Sequence, residues 1–124
     1  MSLELAIIHH EDLNATVISA SGLIEKTSVE DFKTAIEDEI GTPESRKPSP
    51  PNLVMDFSQL RYINSQGLSQ LAFTYEALGQ LRLAGTTPQI ARVLEIVGFS
   101  EILSFFDSQE AALEDIQNPP QPSA

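Results

Sequence analysis

The hydrophobic pattern of this chain changes period repeatedly along its length, and that alternation limits the fold more than any other feature. Leu3, Leu5 and Ile7 alternate with Glu4 and Ala6, the two-residue period of a half-buried strand. Thr16–Ala20, TVISA, is rich in β-branched residues and stops at Ser21-Gly22. A second strand is therefore expected, paired with the first through the polar turn HHEDLN. Val29, Phe32, Ile36 and Ile40 then recur at helical spacing, and Thr27 with Glu30 has the spacing of a capping box. This predicts a helix from about Ser28 to Ile40, with Glu30, Asp31, Glu37, Asp38 and Glu39 on its wet side.

The second half repeats the alternation. Leu53–Phe57, LVMDF, is a short apolar run that reads as a buried strand, and Leu68, Leu71, Ala72, Tyr75 and Leu78 make Gln66–Leu78 an amphipathic helix. Gln80–Ala84 alternates as a strand, and Pro88 fits the first turn of a helix that stops at Gly98. Glu101–Phe106 reads as a last strand, and Ser108 is placed to cap a final helix through Ile116. The resulting order is β-β-α-β-α-β-α-β-α. It predicts a single α/β domain over residues 1–117, with right-handed crossovers and a mixed, partly parallel sheet. Two proline-rich stretches interrupt or end this pattern. Residues 41–52, GTPESRKPSPPN, hold four of the eight prolines, and 118–124, NPPQPSA, hold three more. Proline lacks an amide donor and restricts the residue before it, so both are expected to be irregular: a loop and a disordered tail.

Charge narrows the partners. Eighteen acidic side chains stand against seven basic ones, for a net charge of −11. Phosphate backbones and anionic lipid surfaces would be repelled, so neither nucleic acid nor a membrane is expected as partner. The absence of cysteine removes disulfides, thiolate nucleophiles and thiolate metal sites. No targeting signal or membrane-length apolar run is visible, and a cytoplasmic address is expected.

Enzymatic readings find little support. His9 and His10 are the two histidines, adjacent and so splayed to opposite sides of an extended segment. The common nucleophile elbow and phosphate loops are absent. Asp56 ends a buried strand where a phosphorylatable aspartate could sit. However, TVISA follows Glu11-Asp12 too closely to admit the helix such a site requires, and Lys26, Lys33 and Lys47 all lie upstream. No enzyme activity, metal or cofactor is expected.

The segment Tyr62–Leu68, YINSQGL, falls between the LVMDF strand and the second helix, with Ser65 where an N-cap would be. Capping alone accounts for a serine there, and on local grounds that reading comes first. A phosphoacceptor is the other reading. A phosphate on Ser65 would meet free amides and the positive end of the helix dipole, and Gly67 would spare it a crowding Cβ.

The wider stretch LVMDFSQLRYINSQGL resembles the signature of STAS domains, and among them the anti-anti-sigma factors, or anti-sigma factor antagonists. Ser21–Glu25, SGLIE, and the Thr87-Pro88 to Val97-Gly98-Phe99 segment are similar to further parts of that family's pattern. The resemblance implies a non-enzymatic switch protein without a cofactor, whose partner is an anti-sigma factor serine kinase. It makes Ser65 the phosphoacceptor and Glu25 its acidic neighbour, with Asn64, Gln66 and Gly67 forming the docking surroundings. Asn64 stands where the family usually has aspartate, and Gln66 replaces a small hydroxyl residue. The family also contains constitutive binding modules in stress-signalling assemblies and transporters, which is the alternative function.

Overall fold

The computed structural model describes residues 2–118. Its elements run β1 (Leu3–His10), a short 3₁₀ turn, β2 (Ala15–Ile24), α1 (Val29–Ile40), β3 (Asn52–Ile63), α2 (Ser65–Leu78), β4 (Arg82–Ala84), α3 (Pro88–Ile96), a second 3₁₀ turn, β5 (Ser104–Phe106) and α4 (Gln109–Gln117). One sheet holds all five strands in sequential order; β1 is antiparallel to β2 and the others are parallel. The expected element order and mixed sheet are both observed. Among the described residues no helix is long and apolar enough to cross a membrane. The proline-rich tail, apart from Asn118, lies outside the described residues.

Side chains alternate across the sheet and so divide the core in two. On one face Ile18, Ala20, Leu53, Met55, Leu81 and Leu83 meet Phe32, Ile36 and Ile40 of α1, Leu71 of α2, and Ile90 and Leu94 of α3. On the other, Val17, Val54 and Ala84 pack under Ala112 of α4, with Phe106, Leu113 and Ile116 at the margin. That second layer is thin and is tied by polar contacts. The buried Arg82 donates through Nε to Asp115 at 3.0 Å, and Gln109 donates to Asp56 Oδ2 at 2.6 Å. Asp56 Oδ1 also accepts the Ser58 amide at 2.9 Å, so this carboxylate is committed to the fold.

β3 runs six residues past the predicted end at Phe57. Its register against β2 slips twice, between Ser19 and Ser21 and between Gly22 and Leu23, and each slip gives β3 an extra residue. Each bulge turns a two-residue step into three. Phe57, Leu60 and Ile63 are therefore buried at intervals of three, which hides the strand from a search for alternation.

Other expectations are corrected. The Thr27–Glu30 capping box does not form. Ser28 precedes α1; its Oγ accepts the Glu25 amide at 3.0 Å and donates to the Leu23 carbonyl at 2.7 Å, while Thr27 bonds Glu25 Oε1. Glu39 is not on the wet side. Its side chain is only 11% exposed and accepts from Thr16 Oγ1 at 2.6 Å, with His9 Nε2 at 3.0 Å. β5 begins at Ser104 because Phe99–Glu101 is a 3₁₀ turn. Of the stretch 41–52, Asn52 already opens β3 and the rest forms a pinned loop: Gly41 bridges Arg46, Lys47 donates its amide to the Ile40 carbonyl, and the Arg46 guanidinium lies 5.7 Å from the Phe73 ring centroid.

Candidate functional site

The extension of β3 sets the geometry of the Ser65 segment. Ile63 pairs with Ile24, and the Asn64 amide donates to the Ile24 carbonyl at 2.9 Å, so the two parallel strands end side by side. Glu25 and Ser65 leave the sheet close by. The expected loop shrinks to one residue, Asn64, whose extended backbone and side chain make it the N-cap of α2. Asn64 Oδ1 accepts the Gly67 amide at 2.8 Å, and its carbonyl accepts the Leu68 amide at 3.0 Å.

Ser65 is therefore the first residue of the helix and not its cap. This corrects the capping reading: asparagine caps as well as serine does, and the end of the strand decides which one is used. The Ser65 side chain is exposed at the positive end of α2, where the Ser65 and Gln66 amides have no acceptor within the helix.

Gly67 has a packing role beside the one expected. It is buried, and a Cβ there would lie 2.7 Å from Ile63 Cγ1 and 2.8 Å from Ile24 Cγ2. The missing side chain lets α2 sit against the ends of β2 and β3, where two isoleucines fill the space a Cβ would take. Leu68 follows, half-buried against the main core.

Glu25 is half-buried, and its carbonyl accepts the Ser28 and Val29 amides at 2.9 and 2.7 Å. These bonds fix the turn that starts α1 beside Ser65. Gln66 is exposed and lines a groove of about 190 Å³ between α1 and α2, together with Val29, Glu30, Lys33, Ser69 and Gln70. Lys33 and Gln70 were not anticipated as part of this surface. Their sequence signal is faint: one lysine among the carboxylates of α1, and one polar residue on α2.

The histidines are remote from this site. His10 pairs with Ala15 at the start of β2, whereas the serine segment adjoins Ile24 at its end. Among the described residues no group of three or more His, Asp or Glu side chains is arranged to hold a metal ion.

One antiparallel edge strand beside four parallel ones, with a helix opening directly from the end of the central strand, defines a recognisable class of mixed-sheet α/β domain. The STAS domain family model matches residues 6–112, and the chain belongs to that family. An anti-sigma factor antagonist from Mycobacterium paratuberculosis is similar in structure: 26% identity, 94% of this chain and 96% of that one covered, TM-score 0.79. The anti-sigma factor antagonist SpoIIAA in its unphosphorylated form gives 16% identity, 94% and 99% coverage, and a TM-score of 0.69. The Bacillus cell fate determinant SpoIIAA in its phosphorylated form gives 15% identity, 91% and 99% coverage, and a TM-score of 0.69. For these last two the likeness is one of fold. No curated protein matches the sequence.

Proposed function

We propose that the chain is an anti-sigma factor antagonist that works by partner switching, with Ser65 as its phosphoacceptor. One observation carries the reading. The helix cap is supplied by Asn64, so Ser65 stands exposed at the start of α2 without a capping duty. Family membership and the likeness to an antagonist at 26% identity support the same reading.

In this account the unphosphorylated protein docks on an anti-sigma factor serine kinase through the α2 start and the adjoining groove with α1. The antagonist does no catalysis and carries no cofactor; ATP and magnesium belong to the kinase, and both proteins work in the cytoplasm. Phosphorylation adds roughly −1.5 to −2 charge. The Ser65 and Gln66 amides tolerate that charge in the free protein, because it lies at a helix N-terminus. In the docked state it is brought close to Glu25 and Glu30 and loses water, so the complex is weakened. Each tenfold loss of affinity needs only about 1.4 kcal/mol.

The test compares binding of wild-type, Ser65→Ala and Ser65→Asp proteins to the kinase by calorimetry. Ser65→Ala should bind like wild type and resist modification, and Ser65→Asp should bind at least about tenfold more weakly. Equal binding by all three proteins would refute the switch. It would instead describe a constitutive interaction module.

A further inference from the structure

The two edges of the sheet are unequal. β5 is three residues long and offers few free backbone groups, whereas β1 is eight residues long and pairs with β2 without a register shift. Among the described residues no strand lies on the outer side of β1. Alternate residues of an edge strand point unpaired N–H and C=O groups outward, and proteins usually shield them with lysine, proline or a bulge. LELAIIHH contains none of these. Ile7 and Ile8 are 40% and 48% exposed, one on each face, although their β2 partners Ile18 and Val17 are fully buried.

We propose that β1 pairs antiparallel with β1 of a second copy of this chain, joining the two five-stranded sheets into one. The strand is self-complementary in one register. A twofold axis normal to the sheet keeps opposed residues on the same face, so it must pass through a residue pair of one number. Centred on Ala6, the pairing sets Ile8 against the second copy's Glu4. Centred on Ile8, it sets Ile7 against His9 and leaves Glu4 outside the paired stretch. Centred on Ile7, it stacks Ile7 on its own copy, covers Ile8 with Ala6, and places Glu4 opposite His10 twice.

Charge favours the same strand as the contact. The chain carries −11 overall, but Glu4 is the one acid within residues 3–10, which also hold both histidines. The remaining repulsion is reduced at physiological ionic strength, where charges are screened beyond about 8 Å. A contact confined to residues 4–10 is small, so the dimer is weak and depends on concentration. It uses no residue of the Ser65 site and stands independently of the proposed function.

The test uses the full chain in sedimentation velocity from about 1 μM to about 1 mM, the range in which a weak pair becomes populated. Mass should rise toward the dimer for wild type and stay at the monomer for Ile7→Lys. Because the chain has no cysteine, Ile7→Cys and Ile8→Cys each present a single thiol. Opposed Cβ atoms in an antiparallel pair lie about 4.5–5.5 Å apart, near enough for a disulfide after small adjustment. Under mild oxidation Ile7→Cys should cross-link at least about tenfold faster than Ile8→Cys, whose thiols would lie opposite alanine. Wild type that remains monomeric throughout, or equal cross-linking of the two variants, would overturn the proposal. The cysteine comparison holds even if Ile7→Lys fails to fold.

Discussion

Replacing Gly67 by alanine separates two explanations of the same glycine. A methyl group at this position would stand 2.7 Å from Ile63 Cγ1 and 2.8 Å from Ile24 Cγ2, well inside normal contact. Both isoleucines are buried, at 4% and 0% exposure, and a β-branched side chain in a strand has little freedom to turn aside. Overpacking of this kind costs typically 1–3 kcal/mol, about 2 kcal/mol at mid-range. Alanine recovers about 1 kcal/mol of helix propensity relative to glycine. The expected net loss is about 1 kcal/mol, which for a domain of this size lowers Tm by about 4 °C. Urea and thermal unfolding followed by circular dichroism would measure it. If Gly67 served only to clear space for a phosphate, the helix-propensity term would act alone and Gly67→Ala would be the more stable protein. A stabilised Gly67→Ala protein would refute the packing argument.

Asn64→Ala removes the side chain that accepts the Gly67 amide, and should cost about 1 kcal/mol in chemical denaturation. Asn64→Asp keeps an acceptor there and should cost much less. Asp115→Ala strands the Arg82 guanidinium, whose side chain is 9% exposed, and should cost about 3 kcal/mol. Hydrogen exchange should then show α4 losing protection before the sheet it covers, because its apolar layer is thin. Arg46→Ala should cost about 0.5–1 kcal/mol through the lost contact with Phe73, and Glu76→Ala should cost less than about 0.5 kcal/mol. The Arg46–Glu76 pair is long, at 4.0 Å, and both side chains are exposed, so thermal melts of the two variants should differ.

The element order was legible because helix and strand periods alternate cleanly from Leu3 to Ile116. What stayed hidden depended on contacts between distant segments. The second half of β3 was missed because two bulges against β2 replace alternation by a three-residue spacing. That error carried into the site: ending the strand at Phe57 left a long loop, and in such a loop Ser65 looked like the cap. With β3 running to Ile63, Asn64 takes the cap and Ser65 becomes the first helical residue. Gly67 is conspicuous in the sequence, but what its missing Cβ would meet depends on Ile24, far away in sequence. Glu39 reads in the sequence as one more surface carboxylate, and only its contacts with Thr16 and His9, distant in the chain, set it apart. The proline content of 41–52 likewise gave no sign of the Arg46 contact with Phe73 that ties the loop to α2.

The central claim is that Ser65 is the residue on which a kinase acts, and site-localised mass spectrometry tests it most directly. The protein and its Ser65→Ala variant would each be incubated with the anti-sigma factor kinase, ATP and magnesium, then digested and sequenced. The account predicts a single phosphate on the wild-type protein, placed on Ser65, and none on the variant. A wild-type protein left unmodified by a kinase that binds it, or a phosphate placed on another residue, would contradict it.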